Sequence, residues 1–155
     1  MKARLATAAV MAIVLAGCGD SGNSGPSLST FAAGFSKDRV QFRQLGVELA
    51  QALGGAHSRT DAQLATELAR LSKRAHAQAN KLKQLHPPAD YKGKVDKLTN
   101  GLSAVALDLR RISRASVRND AQTASEETQA LITHSARVKA ADVAISRALQ
   151  TSSKN

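Results

Sequence analysis

Residues 91–112, YKGKVDKLTNGLSAVALDLRRI, carry an apolar stripe without a single break. Its apolar residues recur at alternating steps of four and three, which is the spacing of one face of an α-helix. They are Tyr91, Val95, Leu98, Leu102, Val105, Leu109 and Ile112. Pro87 and Pro88 stand just before the stripe and suit the start of a helix, because proline fixes φ near its helical value. The pattern therefore predicts a helix that begins after Pro88 and buries one face.

Three other segments have similar stripes, at about 28–53, 61–86 and 120–150. The first contains all three phenylalanines of the chain, and the last has the weakest apolar face. Breaks separate the segments at Gly54-Gly55, at Pro87-Pro88 and at 118–120. Ser58, Thr60 and Asp61 are possible N-caps for the second helix, and Asp120 is one for the fourth. His86 falls at the end of the second segment, where the helix dipole favours a cation.

Four helices of about 25–30 residues would each be ~38–45 Å long. Short connections place neighbouring helices antiparallel. We therefore expect an all-α domain over residues 28–155, folded as an antiparallel up-down-up-down four-helix bundle, and we expect a monomer. The same stripes would also fit a bent helical hairpin that dimerises.

The first residues differ from the rest of the chain. Residues 1–17 have a basic start and then an apolar run that is shorter than the ~20 residues of a membrane span. This is the layout of a secretory signal peptide. The run ends in Leu15-Ala16-Gly17-Cys18, which contains the only cysteine of the chain.

These four residues resemble the lipobox of bacterial lipoproteins. The resemblance covers about residues 1–20, and the helical part is similar to small four-helix-bundle lipoproteins without matching a named family. It implies cleavage before Cys18, lipidation of Cys18, and anchorage on the extracytoplasmic face of a bacterial cell membrane. Residues 18–27, rich in Gly and Ser, would then be a flexible tether. An ordinary signal peptide or an uncut signal anchor are the alternatives.

Composition and motifs argue against several classes of function. One cysteine excludes an intrachain disulfide and a multi-cysteine zinc site. The chain has no Glu-x-x-His pair, no CxxCH and no Gly-x-Ser-x-Gly, so we predict no catalytic residues, no cofactor and no metal site. The four histidines are read as surface or seam-edge residues, although His76 and His134 could still meet across two helices. With 3% aromatic residues, nucleic acid is not an expected partner.

The excess of positive charge is the sequence feature that best indicates a function. The chain has 22 basic and 12 acidic residues, and without residues 1–17 the balance is still 20 to 12. Arg110, Arg114 and Arg118 form a row at steps of four, with Arg111 beside them; Arg59, in the 54–60 loop, would share the membrane-distal end. We name these five arginines as a candidate anion-binding surface. The alternative is that they only complement the helix dipole and shield apolar seams.

The sequence therefore predicts a lipid-anchored extracytoplasmic helical module, without catalysis, that binds an anionic wall polymer or an acidic envelope protein. Two alternatives remain open at this point. One is a bundle that binds or senses a small solute or a metal. The other is a passive structural lipoprotein of the envelope.

Overall fold

A computed structural model describes residues 27–153. They form four α-helices: α1 (Leu28–Gly54), α2 (Asp61–Lys83), α3 (Ala89–Arg118) and α4 (Ala121–Ser152). A single 3₁₀ turn, Ala56–Ser58, lies between α1 and α2, and there is no strand within residues 27–153. The predicted all-helical class and the predicted number of helices are therefore confirmed for this part of the chain.

The helices begin where their capping residues allow it. Ser27 accepts a hydrogen bond from the backbone N–H of Thr30 at the start of α1. Thr60 and Gln63 form a capping box at the start of α2, in which each side chain accepts from the backbone N–H of the other. The side chain of Asp120 accepts from the backbone N–H of Thr123, so the predicted cap of α4 is confirmed.

The end of α2 differs from the prediction. The helix ends at Lys83, and His86 lies beyond it with a positive φ of 48°. The reason is local: Pro87 disfavours the α-helical conformation of the residue before it. The predicted end of the segment at residue 86 is therefore wrong: His86 lies three residues beyond the helix, and Lys81 and Lys83 are the cations of its last turn.

Two apolar clusters make up the core, and every helix contributes to both. The first contains the phenylalanines of α1 together with Tyr91, Leu98 and Ile145. The second contains Leu45, Leu68, Leu109 and Leu131 among others. All seven residues of the α3 stripe are buried, as predicted. Residues 27–153 therefore contain two extended apolar clusters to which all four helices contribute.

Polar contacts fix how the helices lie against each other. The hydroxyl of Ser72 on α2 donates to the Ala106 carbonyl of α3 at 2.6 Å. Ser113 of α3 donates to the Ala65 carbonyl of α2 at 2.7 Å. The two contacts are two helical turns apart on each helix, and together they fix the register of α2 against α3.

A bidentate ion pair joins the first and last helices. Arg39 of α1 donates from Nε to one carboxylate oxygen of Asp142 at 2.6 Å and from Nη2 to the other at 3.0 Å. Asp142 is buried on α4, and its charge is therefore balanced across the helix interface.

The predictions about the start of the chain fall outside the described residues. These are the signal peptide 1–17, the lipidated Cys18 and most of the tether 18–27. Over residues 27–153, no helix is both long and apolar enough to span a membrane.

Candidate functional site

Three of the five predicted site residues form one exposed row on α3. Arg110, Arg114 and Arg118 are all exposed and lie on the side of the helix opposite its buried stripe. With a rise of 1.5 Å per residue, the row extends over ~12 Å of the helix axis. Within residues 27–153, none of the three forms an ion pair. Their charges are therefore available to an anion from outside this part of the chain.

Arg111 is placed differently from its neighbours. Its Nη1 donates to Oε1 of Glu127 on α4 at 3.1 Å, so its charge is balanced by a carboxylate of the bundle. Although Arg111 is adjacent in sequence to Arg110, it points to the α3–α4 interface. The structure thus separates it from the row of three.

Arg59 lies beside the first turns of α2. It follows the 3₁₀ turn and shares a surface depression with Gln63 and Glu67. The pKa of Glu67 is lowered from its ordinary value of 4.5, first by a hydrogen bond from Arg70 and to a smaller extent by the charges of Arg70 and Arg59. Arg59 thus lies close enough to a carboxylate to lower its pKa, as Arg118 of the row does for Asp120.

Two other cations of α2 form ion pairs with carboxylates of the bundle. Arg70 donates to Glu48 of α1 at 2.9 Å and to Glu67 at 2.7 Å, and Arg74 donates to the same oxygen of Glu48. The hydrogen bond from Arg70 is the main reason that the pKa of Glu48 lies below its ordinary value. These pairs hold α1 against α2, so the basic surface of α2 is smaller than the count of its cations implies.

A second feature, which the sequence did not predict, is a groove between α3 and α4 of about 560 Å³. Its walls are small residues: Gly101 and Ala104 from α3, and Ala140, Ala141 and Ala144 from α4. The helices approach closely at Gly101, where a Cβ would come within 2.8 Å of Val138 Cγ2. The volume lies in the range of sites that bind small molecules.

The side chain of His134 lines this groove and is held by a buried carboxylate. Its Nδ1 lies 2.7 Å from Oδ2 of Asp108, which is only 2% exposed. An ionised carboxylate can only accept a hydrogen bond, so His134 donates one from Nδ1 to an ionised Asp108. The other ring nitrogen, Nε2, takes no part in this hydrogen bond. Burial of Asp108 is thus compensated by one partner on the neighbouring helix.

The two histidines that the sequence singled out, His76 and His134, have different surroundings. His134 is bonded to Asp108, whereas His76 is exposed on α2 and has no hydrogen bond within the described residues. Among residues 27–153, no group of three or more His, Cys, Asp or Glu side chains is placed to hold one metal ion. The one sequence signal for the Asp108–His134 pair is an acidic residue in the apolar run AVALDL, residues 104–109.

The chain was compared with protein-family models, with curated protein sequences and with solved structures, and none of them matches it.

Proposed function

We propose that this chain is a lipid-anchored extracytoplasmic module that binds an anionic partner through Arg110, Arg114 and Arg118. The partner is an anionic wall polymer or an acidic envelope protein, and the module does no catalysis. The observation that carries this proposal is the exposed row of three guanidinium groups without ion pairs within residues 27–153. The neighbouring Arg111, which is paired with Glu127, shows that the bundle neutralises cations where a carboxylate is within reach.

An up-down-up-down order of the helices belongs to this proposal. Contacts between α3 and α4 support it, because early residues of one helix meet late residues of the other: Tyr91 with Ser152, Asp108 with His134, and Arg111 with Glu127. The contacts of Ser72 with Ala106 and of Ser113 with Ala65 support the same order for α2 and α3. In this order the row of arginines lies at the end of the bundle opposite the start of α1.

The lipid anchor would determine which end of the bundle faces the membrane. If lipid holds Cys18, the start of α1 is near the membrane and Arg118 faces away from it. The support is the lipobox sequence Leu15-Ala16-Gly17-Cys18. Replacing Cys18→Ser should remove the acyl mass from the chain recovered from its host. A mass that still includes residues 1–17 in the unaltered protein would contradict the anchor.

The binding test compares two variants with the same net charge. In the soluble chain of residues 19–155, R110Q/R114Q/R118Q removes the row, whereas R43Q/K92Q/R147Q removes three exposed cations elsewhere. Exposed ion pairs contribute up to about 1 kcal/mol each, so loss of the row should weaken binding to poly(glycerol phosphate) or polyglutamate by about tenfold or more. It should also flatten the salt dependence, because fewer charge contacts remain to be screened.

The control variant should keep most of the affinity of the unaltered chain. Equal losses in both triple variants would mean that only net charge matters, and the proposed site would then be wrong. Unchanged binding after loss of the row would contradict the proposal even more directly.

A further inference from the structure

The groove between α3 and α4 has a floor on which an apolar group can lie. Five small residues form it, and Ala140 and Ala144 are exposed to solvent although they face the groove. Close packing at Gly101 and Val138 brings the two backbones together below this floor. Larger side chains at these positions would fill the space, so the groove exists because small residues occur on both helices at the same level.

The lysine and the arginine that line this floor both carry positive charge. Lys97 and Arg137 line the groove, are exposed, and form no ion pair with any residue of 27–153. His134 is the third basic side chain, and Asn100 adds an amide. No carboxylate of residues 27–153 lines the groove, and the nearby Asp108 is buried and bonded to His134. A ligand that fits this lining has an apolar body and a negative charge.

We propose that the groove binds a medium-chain aliphatic carboxylate. The alkyl chain lies on the floor of alanines, and the carboxylate accepts hydrogen bonds from Arg137 and Lys97. Arginine suits this role because its planar guanidinium can donate two parallel hydrogen bonds to a carboxylate. This site is separate from the arginine row and does not depend on its function.

The first experiment is an NMR titration of the chain of residues 19–155, whose core lies within the described part. The probes are octanoate and decanoate, kept below their micelle concentrations, with decanol and inorganic phosphate as comparisons. Decanoate should shift the amide resonances of Ala140 and Ala144. Each added methylene should strengthen binding by about threefold in a half-open groove, so decanoate should bind about tenfold more tightly than octanoate. Decanol and phosphate should both bind more weakly than decanoate.

Two pairs of variants separate the charge from the apolar floor. Arg137→Gln should weaken decanoate binding by about tenfold, with decanol unchanged, because a charge-assisted hydrogen bond is lost. Arg147→Gln, on the same helix but outside the groove, is its matched control. Ala140→Leu should fill the groove and abolish binding of both decanoate and decanol, whereas Ala136→Leu, which is exposed and does not line the groove, should leave both intact.

Several outcomes would overturn this proposal. One is the absence of decanoate shifts at the groove, and another is equal binding of decanol and decanoate. A third is an equal effect of Arg147→Gln and Arg137→Gln, which would show attraction to net charge only. If an acidic amphipathic peptide binds the groove and decanoate does not, the occupant is a protein segment and the carboxylate assignment is wrong.

Discussion

Replacement of His134 by alanine tests the most buried carboxyl group within residues 27–153, that of Asp108. The change removes the only hydrogen-bond partner that Asp108 has within residues 27–153 and leaves its carboxylate in the α3–α4 interface. A buried charge without a partner is strongly destabilising, because the desolvation of the charge is no longer compensated. We therefore expect a large loss of stability from a residue at the edge of the core.

The size of the loss follows from the exposure of the two side chains. Removing one partner from a buried ion pair costs about 3–5 kcal/mol. The Asp108 side chain is 3% exposed, which favours the full cost, but that of His134 is 27% exposed, so water can enter from the groove when the ring is absent. We expect about 3 kcal/mol, at the lower end of that range. For a domain of this size that loss lowers the melting temperature by about 10 °C.

Urea unfolding followed by far-UV circular dichroism at neutral pH gives the free energy of unfolding. The matched control is His76→Ala, which removes an exposed histidine without a hydrogen bond in the described region and should change stability by less than about 0.5 kcal/mol. Adding Asp108→Asn to His134→Ala should restore part of the loss, because a neutral amide costs less to bury than a carboxylate. If His134→Ala is no more destabilising than the control, the reasoning about this pair is refuted.

Two further predictions concern packing and pH. Gly101→Ala should destabilise the chain by about 1 kcal/mol or more in urea unfolding, because the added Cβ would lie 2.8 Å from Val138 Cγ2. The control is Gly46→Ala, whose Cβ would meet nothing within 4 Å and which should stabilise the chain by about 1 kcal/mol. Equal effects of the two substitutions would contradict the close approach of α3 and α4. The pKa of Asp120 is lowered from its ordinary value of 3.8 by hydrogen bonds from the side chain and backbone of Thr123. The stability that its charge provides is therefore present above about pH 4 and lost as the pH falls through the lowered pKa, so Asp120→Asn should unfold with a shallower acid dependence than the unaltered chain; identical slopes would contradict this.

The helices could be predicted because their signals are local. The α3 stripe depends only on residues three and four apart, and all seven of its members are buried. Thr60 was one of three possible caps of α2 and Asp120 was the possible cap of α4, and both accept a backbone hydrogen bond at the start of their helix. The end of α2 was predicted too late in the sequence, because Pro87 disfavours the helical conformation of His86 and the helix ends at Lys83.

The contacts between helices could not be predicted in the same way. Asp108 and His134 are 26 positions apart, and their meeting depends on the register of α3 against α4. The same register places Glu127 opposite Arg111 and leaves Arg110 and Arg114 without a carboxylate within residues 27–153. The sequence shows which residues are cationic, but only the packing of the helices shows which of them form ion pairs with a carboxylate. The groove also depends on register, since Gly101 must face Val138 for the small residues to line up.

The most direct test of the arginine row as the anion-binding site is a map of where a polyanion binds. Amide resonances of the chain of residues 19–155 would be recorded during titration with poly(glycerol phosphate), at low and at high salt. The largest shifts should fall on residues 107–118 of α3, around Arg110, Arg114 and Arg118, and high salt should reduce them. Shifts spread evenly over the exposed cations of all four helices, or centred on another helix, would contradict the account.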